Sequence, residues 1–504
     1  MFIRKKKNKS GVISIQVIDK STGKYKLLKT IGSSSVKSEI DKLYKQGQDW
    51  IKDFILQSEI DFFDEHKQIN DILESIEQVD IIGTELLLGK FYEEIGFSHL
   101  SEPLLRKLVF SRLCFPASKL KTSDYLMKYY SEEIDVDKIY RYMDKLIRQQ
   151  KDQIHQISYQ HTLQILNNKI SILFYDVTTL YFEIDDEDEL RKTGFSKEGK
   201  HQNPQIVLGL LVSIDGYPLA YEIFEGNKFE GHTMLPVVDS FKTKYKLDNL
   251  VIIADSGLMS NDNVNQLMSR KYAFILGARI KNEPDKIKSK ILQLQLKNGC
   301  SEIIEKDNKT RLVISYSESR AKKDKANREK GIKKLEKQIK AGKLNKSSIN
   351  NRGYNKFLKL EGETKVSINK NAIESDYKWD GLKGYITNTD INKDEIIANY
   401  GHLWRIEKAF RISKTDLKIR PIYHRLKHRI EAHICISFMA YKIYKELERQ
   451  LKLKKSILSP EKAIEIAKTI YSIKIISPIK KEIIKKTLIL NQEQKYLMNL
   501  FHLN

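Results

Sequence analysis

The chain has 504 residues, of which 40% are apolar and 31% charged, a balance typical of a folded protein with a buried core. Its 89 lysine and arginine residues outnumber its 66 aspartate and glutamate residues, which gives a net charge of +23 at pH 7. The three cysteines lie far apart and the N-terminus lacks the apolar segment of a signal peptide, which argues against a disulfide-rich secreted protein. No apolar run approaches the roughly 20 residues of a membrane span, which argues against a membrane protein.

The excess of basic residues indicates a polyanionic partner, because each phosphate that a protein neutralises releases condensed counterions. The alternative is a proteome that is generally rich in lysine. With the length of the chain, the charge favours a nucleic acid. We therefore expect a cytoplasmic protein that binds nucleic acid and has no membrane partner.

The first third of the chain is predicted to be a small β unit followed by helices. Residues 1–32 alternate polar and apolar side chains around a turn at 20–24. In residues 33–166 apolar side chains recur at helical spacing, which predicts a helical region for DNA binding or assembly. Residues 118–130 and 137–146 fit two short helices of a helix-turn-helix DNA reader, or an ordinary helical bundle.

From residue 167 the period of the apolar residues becomes that of strands. A first strand, a hairpin, and two helix–strand pairs are predicted in the order β-β-β-α-β-α-β, at residues 170–182, 204–214, 218–224, 233–245, 249–254, 261–270 and 272–278. That order matches an RNase H-like α/β fold if the first and fourth strands are neighbours. Residues 167–280 are thus the predicted first part of a catalytic core.

A basic insertion, residues 281–379, is predicted to interrupt this core. Residues 320–360 alone hold 15 lysines and arginines against 3 acids, which fits either a clamp on DNA or a flexible, solvated insertion. The second part of the core, residues 380–423, is predicted to contain a strand at 384–386 and one long helix at 392–420 that ends at Pro421. Residues 424–504 are predicted to be a helical C-terminal region.

Three carboxylates stand in well-defined settings. Asp176 and Asp255 each follow an apolar, strand-like run, and Glu407 lies in a basic, helical segment. Acids from strand ends and a helix can converge on a hard divalent cation, which takes oxygen ligands. A turn or strand-end aspartate is the plain structural alternative. The acidic run at 183–189 is not set in an apolar, strand-like segment and is predicted to be a solvated loop.

Other candidate ligands and stacking groups give weaker patterns. Histidines at 201, 232, 424 and 428 have no regular metal-binding spacing, so surface or DNA-facing roles are expected. Trp379 and Trp404 are suited either to stacking on a flipped base or to packing in the core, and packing is the better expectation.

Several motifs in order resemble the insertion-sequence transposases of the Asp-Asp-Glu class, in the group with a Tyr-Arg-Glu-Lys signature and a β-rich insertion before the glutamate. The matching segments lie at residues 174–182, 194–197, 204–210, 225–227, 254–257 and 400–420. The resemblance implies an RNase H-like core with Asp176, Asp255 and Glu407 as the catalytic and metal-binding triad. It further implies Mg²⁺ or Mn²⁺, with two ions, and cleavage at transposon ends followed by strand transfer into target DNA.

The resemblance also implies double-stranded DNA as partner, a homodimer or higher oligomer on that DNA, and association with a bacterial nucleoid. Tyr400 and Lys414 match the tyrosine and lysine of the signature, but Leu403 stands where its arginine belongs. The predicted DNA contacts are Tyr400, Arg405, Arg411, Lys414 and Lys418, of which Arg411, Lys414 and Lys418 share a helix face with Glu407. The alternatives are an RNase H-like nuclease or resolvase that cuts without joining, and an inactive DNA-binding copy.

Overall fold

A computed structural model describes the chain except residues 22, 197–198, 249, 308, 351–352, 363–364, 477–481 and 504, and except the side chains of residues 56–68 and 307. The turn predicted at 20–24, the motif at 194–197 and the strand predicted at 249–254 therefore lie partly outside the described residues. The chain forms two compact units, Met1–Asp80 with Tyr471–Leu488, and Ile81–Ile470 with Ile489–Asn504.

The strands and helices follow in chain order. The strands are β1 (Phe2–Lys7), β2 (Ile13–Asp19), β3 (Lys26–Ser34), β4 (Ile76–Ile81), β5 (Ile172–Tyr181), β6 (Gln205–Ser213), β7 (Pro218–Glu225), β8 (Val251–Ala254), β9 (Ala273–Ala278), β10 (Ser301–Asp307), β11 (Thr310–Tyr316), β12 (Leu358–Glu361), β13 (Lys365–Ile368), β14 (Leu382–Thr387), β15 (Tyr471–Ile476) and β16 (Ile483–Leu488). The helices are α1 (Lys37–Glu74), α2 (Gly83–Ile95), α3 (Pro103–Cys114), α4 (Lys119–Tyr130), α5 (Val136–Ile165), α6 (Met234–Tyr245), α7 (Asn261–Ser269), α8 (Asp285–Gln293), α9 (Glu318–Lys340), α10 (Lys370–Tyr377), α11 (Lys393–Gly401), α12 (Trp404–Thr415), α13 (Lys427–Leu453), α14 (Pro460–Ala467) and α15 (Gln492–Phe501).

The first unit contains two small antiparallel sheets and α1. Strands β1, β2 and β3 pair in that order, and Ile15 and Val17 of β2 are fully buried. A second sheet has the order β16-β15-β4. Strands β15 and β16 differ from the helical structure predicted for residues 424–504. Their segments are rich in isoleucine, and pairing with each other satisfies the backbone groups that a helix would satisfy internally.

The second unit is built on a mixed eight-stranded sheet with the order β10-β11-β14-β9-β8-β5-β6-β7. Strand β5 pairs antiparallel with β6 and parallel with β8, and β8 pairs parallel with β9. The prediction that the two aspartate-bearing strands are neighbours is confirmed, because Tyr175 of β5 lies directly opposite Ala254 of β8.

Alternate residues of the central strands face two separate hydrophobic layers. Phe174 and Leu180 of β5 pack in the layer formed with α2, α3, α5 and α11 to α14, whereas Leu173 and Tyr175 pack in the layer formed with α6 and α7. Side chains of a strand point alternately to opposite faces. Asp176 therefore belongs to the face that α11 and α12 cover.

The predicted insertion is partly integrated into the sheet. Strands β10 and β11 extend it beyond β14, and they fit the β-rich insertion before the glutamate that the resemblance implies. Helix α9 carries most of the basic residues and packs through Leu335 on a small cluster with Phe357, Leu358 and Val366. Buried Arg328 of α9 forms ion pairs with Asp376 and Asp380, so this helix is held on one side.

Helix α5 differs from the predicted second helix of a helix-turn-helix. It runs for 30 residues and packs against α13 and β7, with Met143, Leu146 and Ile154 fully buried. Its apolar face is long enough to serve the core of the unit, which favours the helical-bundle alternative. Over the described residues, every helix is too short or too polar to cross a bilayer.

We predict that Gly209 is needed for the packing of β6 on β5. A Cβ atom at residue 209 would lie 3.0 Å from Cζ of Tyr175, whose ring is fully buried. We expect Gly209→Ala to destabilise the protein by about 1–3 kcal/mol. Gly401→Ala, at a helical glycine with open space around it, is the matched control and should not destabilise. Equal thermal midpoints of the two variants would contradict this packing argument.

Candidate active site

Asp176 and Asp255 lie side by side at the centre of the large sheet. Each directly follows one member of the pair Tyr175 and Ala254, which are opposite each other on the parallel strands β5 and β8. Asp176 is half-buried, and its Oδ1 accepts a hydrogen bond of 2.8 Å from the backbone N–H of Val177. Asp255 is exposed. Register and alternation thus direct both carboxylates to the same face of the sheet.

Tyr400 of α11 fixes the position of Asp255. Its hydroxyl donates a hydrogen bond of 3.1 Å to Oδ1 of Asp255, although the tyrosine is only 5% exposed. Burial, and secondly the charge of Asp255, raise the pKa of Tyr400. The hydroxyl reaches the carboxylate across Gly277 of β9, where any Cβ atom would collide with it. The contact therefore depends on a glycine at residue 277.

Lys383 of β14 is a cation that the sequence analysis missed. Its Nζ lies 4.4 Å from the ring centroid of Tyr400. Burial lowers the pKa of Lys383, and the charges of Asp255 and Glu407 act against that shift. Lys383 therefore lies within electrostatic reach of both acids. A single lysine in a short strand gives no pattern that would have identified it.

Glu407 lies in the first turn of α12 and is exposed. The prediction of one long helix at 392–420 is wrong, because the helix is interrupted at residues 402–403. The N–H groups of His402 and Leu403 bond to the carbonyls of Asn399 and Tyr400, three residues back, which tightens the chain there. Gly401, which lowers the stability of a helix, ends α11.

The interruption changes the expected positions of the basic residues. Arg405 donates hydrogen bonds to the Ile214 carbonyl and, at 3.0 Å, to Oδ1 of Asp215, so its charge is engaged by the β6–β7 hairpin. Arg411 is exposed on α12, one turn after Glu407, and Lys414 is half-buried. Lys418 does not share their helix face as predicted, because α12 ends at Thr415 and Lys418 has a left-handed backbone with φ 44°.

Glu230 is a further acid near Asp255 that sequence reasoning missed. Its Oε2 and Oδ2 of Asp255 lie 3.8 and 3.9 Å from the position of a Cβ atom at Gly257. The side-chain amide of buried Asn263 joins the two loops, since Nδ2 donates 2.7 Å hydrogen bonds to the carbonyls of Gly231 and Leu258. Glu230 follows the motif at 225–227 by three residues, but a lone glutamate in a loop carries no signal.

The remaining sequence candidates lie in structural roles. In the acidic run, Asp188 accepts hydrogen bonds from the backbone of Leu190 and Arg191 and pairs with the Arg191 guanidinium, which makes a local turn. Trp379 packs beside the core as expected, whereas the expectation of core packing is wrong for Trp404, whose side chain is 51% exposed. His428 pairs with Asp144.

The acids around Asp255 suit a hard cation. Asp176, Asp255, Glu230 and Glu407 offer carboxylate oxygens, the ligands that Mg²⁺ takes. In the described part of the chain, no three histidine, cysteine, aspartate or glutamate side chains stand close enough together to hold a metal ion without adjustment. Two acids are thus positioned by the sheet, and the others are carried by elements beside it.

We predict an alkaline loss of stability to which Tyr400 contributes. Because its pKa is raised above the ordinary 10.0, the unfolded chain releases this proton first, and the stability is intact below pH 10 and falls as pH rises further. Tyr400→Phe should lower stability by about 1 kcal/mol at pH 8 and should show a smaller further loss at pH 11 than the parent. Tyr423→Phe, at a 69% exposed tyrosine, is the control for thermal midpoints. Parallel losses in the parent and Tyr400→Phe would contradict the assignment.

Comparisons with known proteins identify the family. The model of the family "Transposase DDE domain" matches residues 167–443, more than half of the chain, whereas no curated protein matches the sequence. A structure of the piggyBac transposase synaptic complex with hairpin DNA aligns with 10% identity and a TM-score of 0.39, over 77% of this chain and 78% of that chain. The Mos1 transposase paired-end complex with left transposon end aligns with 9% identity and a TM-score of 0.16, over 31% and 53%. TM-scores this low do not establish a common fold.

The family match includes the strands of Asp176 and Asp255 and both helices next to them. The activity of this family is DNA transposition, by cleavage of DNA and transfer of its strands. The chain belongs to the transposases with a DDE domain.

Proposed function

We propose that Asp176, Asp255 and Glu407 are the catalytic carboxylates of this transposase. One observation carries the proposal: the two aspartates follow opposed residues of parallel neighbouring strands and face the side of the sheet that α11 and α12 cover. The field of Glu407 at Lys383, which Asp255 shares, supports Glu407 as the third acid. The strand order β7-β6-β5-β8-β9, with β6 antiparallel and β8 and β9 parallel to β5, supports an RNase H-like core.

We further propose that the acids hold two divalent ions, Mg²⁺ or Mn²⁺. Asp176 and Asp255 would be the ligands that the sheet positions, and Glu230 is near enough to Asp255 to act as an additional ligand. When bound, such ions stabilise the attacking and leaving oxygens of an in-line phosphoryl transfer. Glu407 is exposed, and a change of its rotamer can bring its carboxylate to the other acids.

The neighbouring residues orient the acids and neutralise charge. Tyr400 keeps one oxygen of Asp255 occupied as an acceptor and leaves the other for a ligand. Lys383 limits the repulsion between Asp255 and Glu407 as they approach. Arg411 and Lys414, beyond Glu407 on α12, are suited to contact DNA phosphates. Because residue 403 is leucine and Arg405 is engaged by Asp215, the role of the signature arginine would fall to Arg411.

Double-stranded DNA, as transposon ends and target, is the proposed substrate, bound by a dimer or higher oligomer. Helix α9 is the proposed DNA-binding element of the insertion. Its buried side is fixed by Arg328 and Leu335, and its other side presents exposed lysines, among them residues 322, 323, 325, 330, 333, 334, 337 and 340. A supported helix with one basic face holds its charges in place for a phosphate backbone better than a flexible segment does.

Loss of single acids should separate DNA binding from chemistry. We expect Asp176→Asn and Glu407→Gln to bind DNA as the parent does and to lose cleavage by roughly 100- to 1000-fold or more, because the basic surface is unchanged and a ligand is lost. The assay uses the gene with its own flanking DNA and Mg²⁺. Asp186→Asn, in the exposed acidic turn, is the matched control and should retain activity.

The DNA products of this assay distinguish transposition from cleavage without joining and from an inactive copy. Cuts and joined products from the parent, absent from both variants, support transposition at these acids. Cuts without joining would indicate the nuclease or resolvase alternative, and bound but uncut DNA an inactive copy. Equal cleavage by Asp176→Asn and the parent would refute the assignment of the acids.

Neutralising α9 should reduce the salt dependence of DNA binding. We expect the triple variant Lys322→Gln, Lys330→Gln, Lys333→Gln to bind DNA more weakly and to lower the slope of log affinity against log salt, by about 0.9 for each lost phosphate contact. The matched control replaces Lys452, Lys454 and Lys455, which are exposed at the end of α13, by glutamine. An unchanged slope in the α9 variant would indicate that the lysines of this helix are only solvated and do not contact DNA.

A further inference from the structure

A second basic site lies apart from the acids, in a cavity of about 610 Å³ that we call the basic cavity. It is enclosed by the junction of α3 and α4, the start of α13 and the segment between α12 and α13. Its basic lining includes Arg112, Lys119, Lys418, Arg420, His424 and His433. Among the described residues that line it, none is aspartate or glutamate.

Arg112 forms part of the floor of the basic cavity and is only 4% exposed. Its guanidinium donates long hydrogen bonds of 3.4 Å to the Leu417 carbonyl and to Nδ1 of His433, and its Nε has no acceptor among the described residues. His433 Nε2 donates to the Ile419 carbonyl at 2.9 Å, so Nδ1 is the accepting nitrogen and the imidazole is neutral. The hydrogen-bond acceptors of the Arg112 guanidinium are therefore both uncharged.

Lys119, the first residue of α4, is the second cation of the floor and is only 3% exposed. Within the described residues its ammonium has neither a hydrogen-bond acceptor nor an ion-pair partner. Burial, and secondly the charge of Arg112, hold the pKa of Lys119 well below its ordinary value. Burial, and secondly the charges of Lys119 and Arg112, lower the pKa of His424 to about 3. Among the described residues that line the cavity, Arg112 and Lys119 therefore have no acidic partner.

Buried cations without a counter-charge destabilise a fold, and apolar residues of similar size would normally be more stable there. The polypeptide supplies one further attraction for an anion, the N-terminus of the 12-residue helix α4. The cavity is open to solvent at Lys418 and Tyr423, of which Tyr423 is 69% exposed. The missing negative charge can therefore enter from outside.

We propose that the basic cavity binds a phosphate group between Arg112 and Lys119 on its floor and Lys418 at its mouth. A phosphate offers several acceptor oxygens, which match the ammonium of Lys119 and the N–H groups of α4 that precede Lys121, next to the guanidinium of Arg112. The phosphate comes either from the backbone of bound DNA or from free phosphate in solution. The first source rests on the proposed DNA substrate, and the second does not.

Thermal unfolding in inorganic phosphate, against sodium chloride of equal ionic strength, tests the site without any cleavage assay. Saturating phosphate should raise the midpoint of the parent by about 2–4 °C or more, because the ligand binds only the folded state. Lys119→Met should lose this rise and, without phosphate, should be at least as stable as the parent. Lys128→Met, an exposed lysine of the same helix outside the cavity, should keep the rise.

A second variant tests whether the phosphate effect can be weakened without a change in folding. Lys418→Asn removes the charge at the mouth while suiting the left-handed backbone, so it should fold normally and weaken the phosphate effect. A loss of stability in Lys119→Met that is equal with and without phosphate would overturn the proposal. So would a parent whose midpoint does not respond to phosphate.

DNA binding then distinguishes the two sources. If the phosphate belongs to the DNA backbone, the salt slope of duplex binding should fall by about 0.9 in Lys119→Met and remain unchanged in Lys128→Met. If the slope is unchanged while the phosphate-dependent rise in the midpoint is lost, the site takes free phosphate. Both results support a phosphate site, and they remain informative even if the protein does not cut DNA.

Discussion

The parallel pairing of β5 with β8 is the constraint on which the rest of the site depends. It sets Tyr175 opposite Ala254, and the next residue on each strand is then an aspartate at the same level. Because the two carboxylates repel each other, their neighbours must compensate. Tyr400 donates a hydrogen bond to Asp255, and Lys383 supplies a positive charge close to Asp255 and Glu407. The antiparallel β6 and β7 then complete one side of the sheet.

The short break between α11 and α12 decides how the last acid and the basic residues are presented. In a continuous helix Tyr400 and Glu407 would share one face. The turn at residues 402–403 instead lets buried Tyr400 point to Asp255 while Glu407 starts a new, more exposed helix. It also directs Arg405 to the β6–β7 hairpin, where Asp215 neutralises it. A single interrupted turn thus separates the buried Tyr400 from the exposed Glu407.

The positive charge of the chain is used in two physically different ways. On α9 the lysines are exposed and widely hydrated, which suits weak, additive contacts with a polyanion. In the basic cavity Arg112 and Lys119 are buried, where an anion gains more per contact because the surroundings are less polar. The first arrangement would provide affinity along DNA, and the second would provide the one defined position for a phosphate group that we propose.

The sequence by itself determined the central strands, the two aspartates at their ends and the helical character around Glu407, because apolar periodicity and the motif order are local properties of the chain. It also indicated the family, which the match over residues 167–443 bears out. Only the tertiary structure decided that Glu230 and Lys383 lie beside those acids, that β10 and β11 extend the sheet, and that residues 471–488 form strands. It alone decided that α12 ends before Lys418 and that Arg112 meets Lys119 in one cavity. These features depend on pairing and packing between residues far apart in the chain, and no local pattern records such contacts.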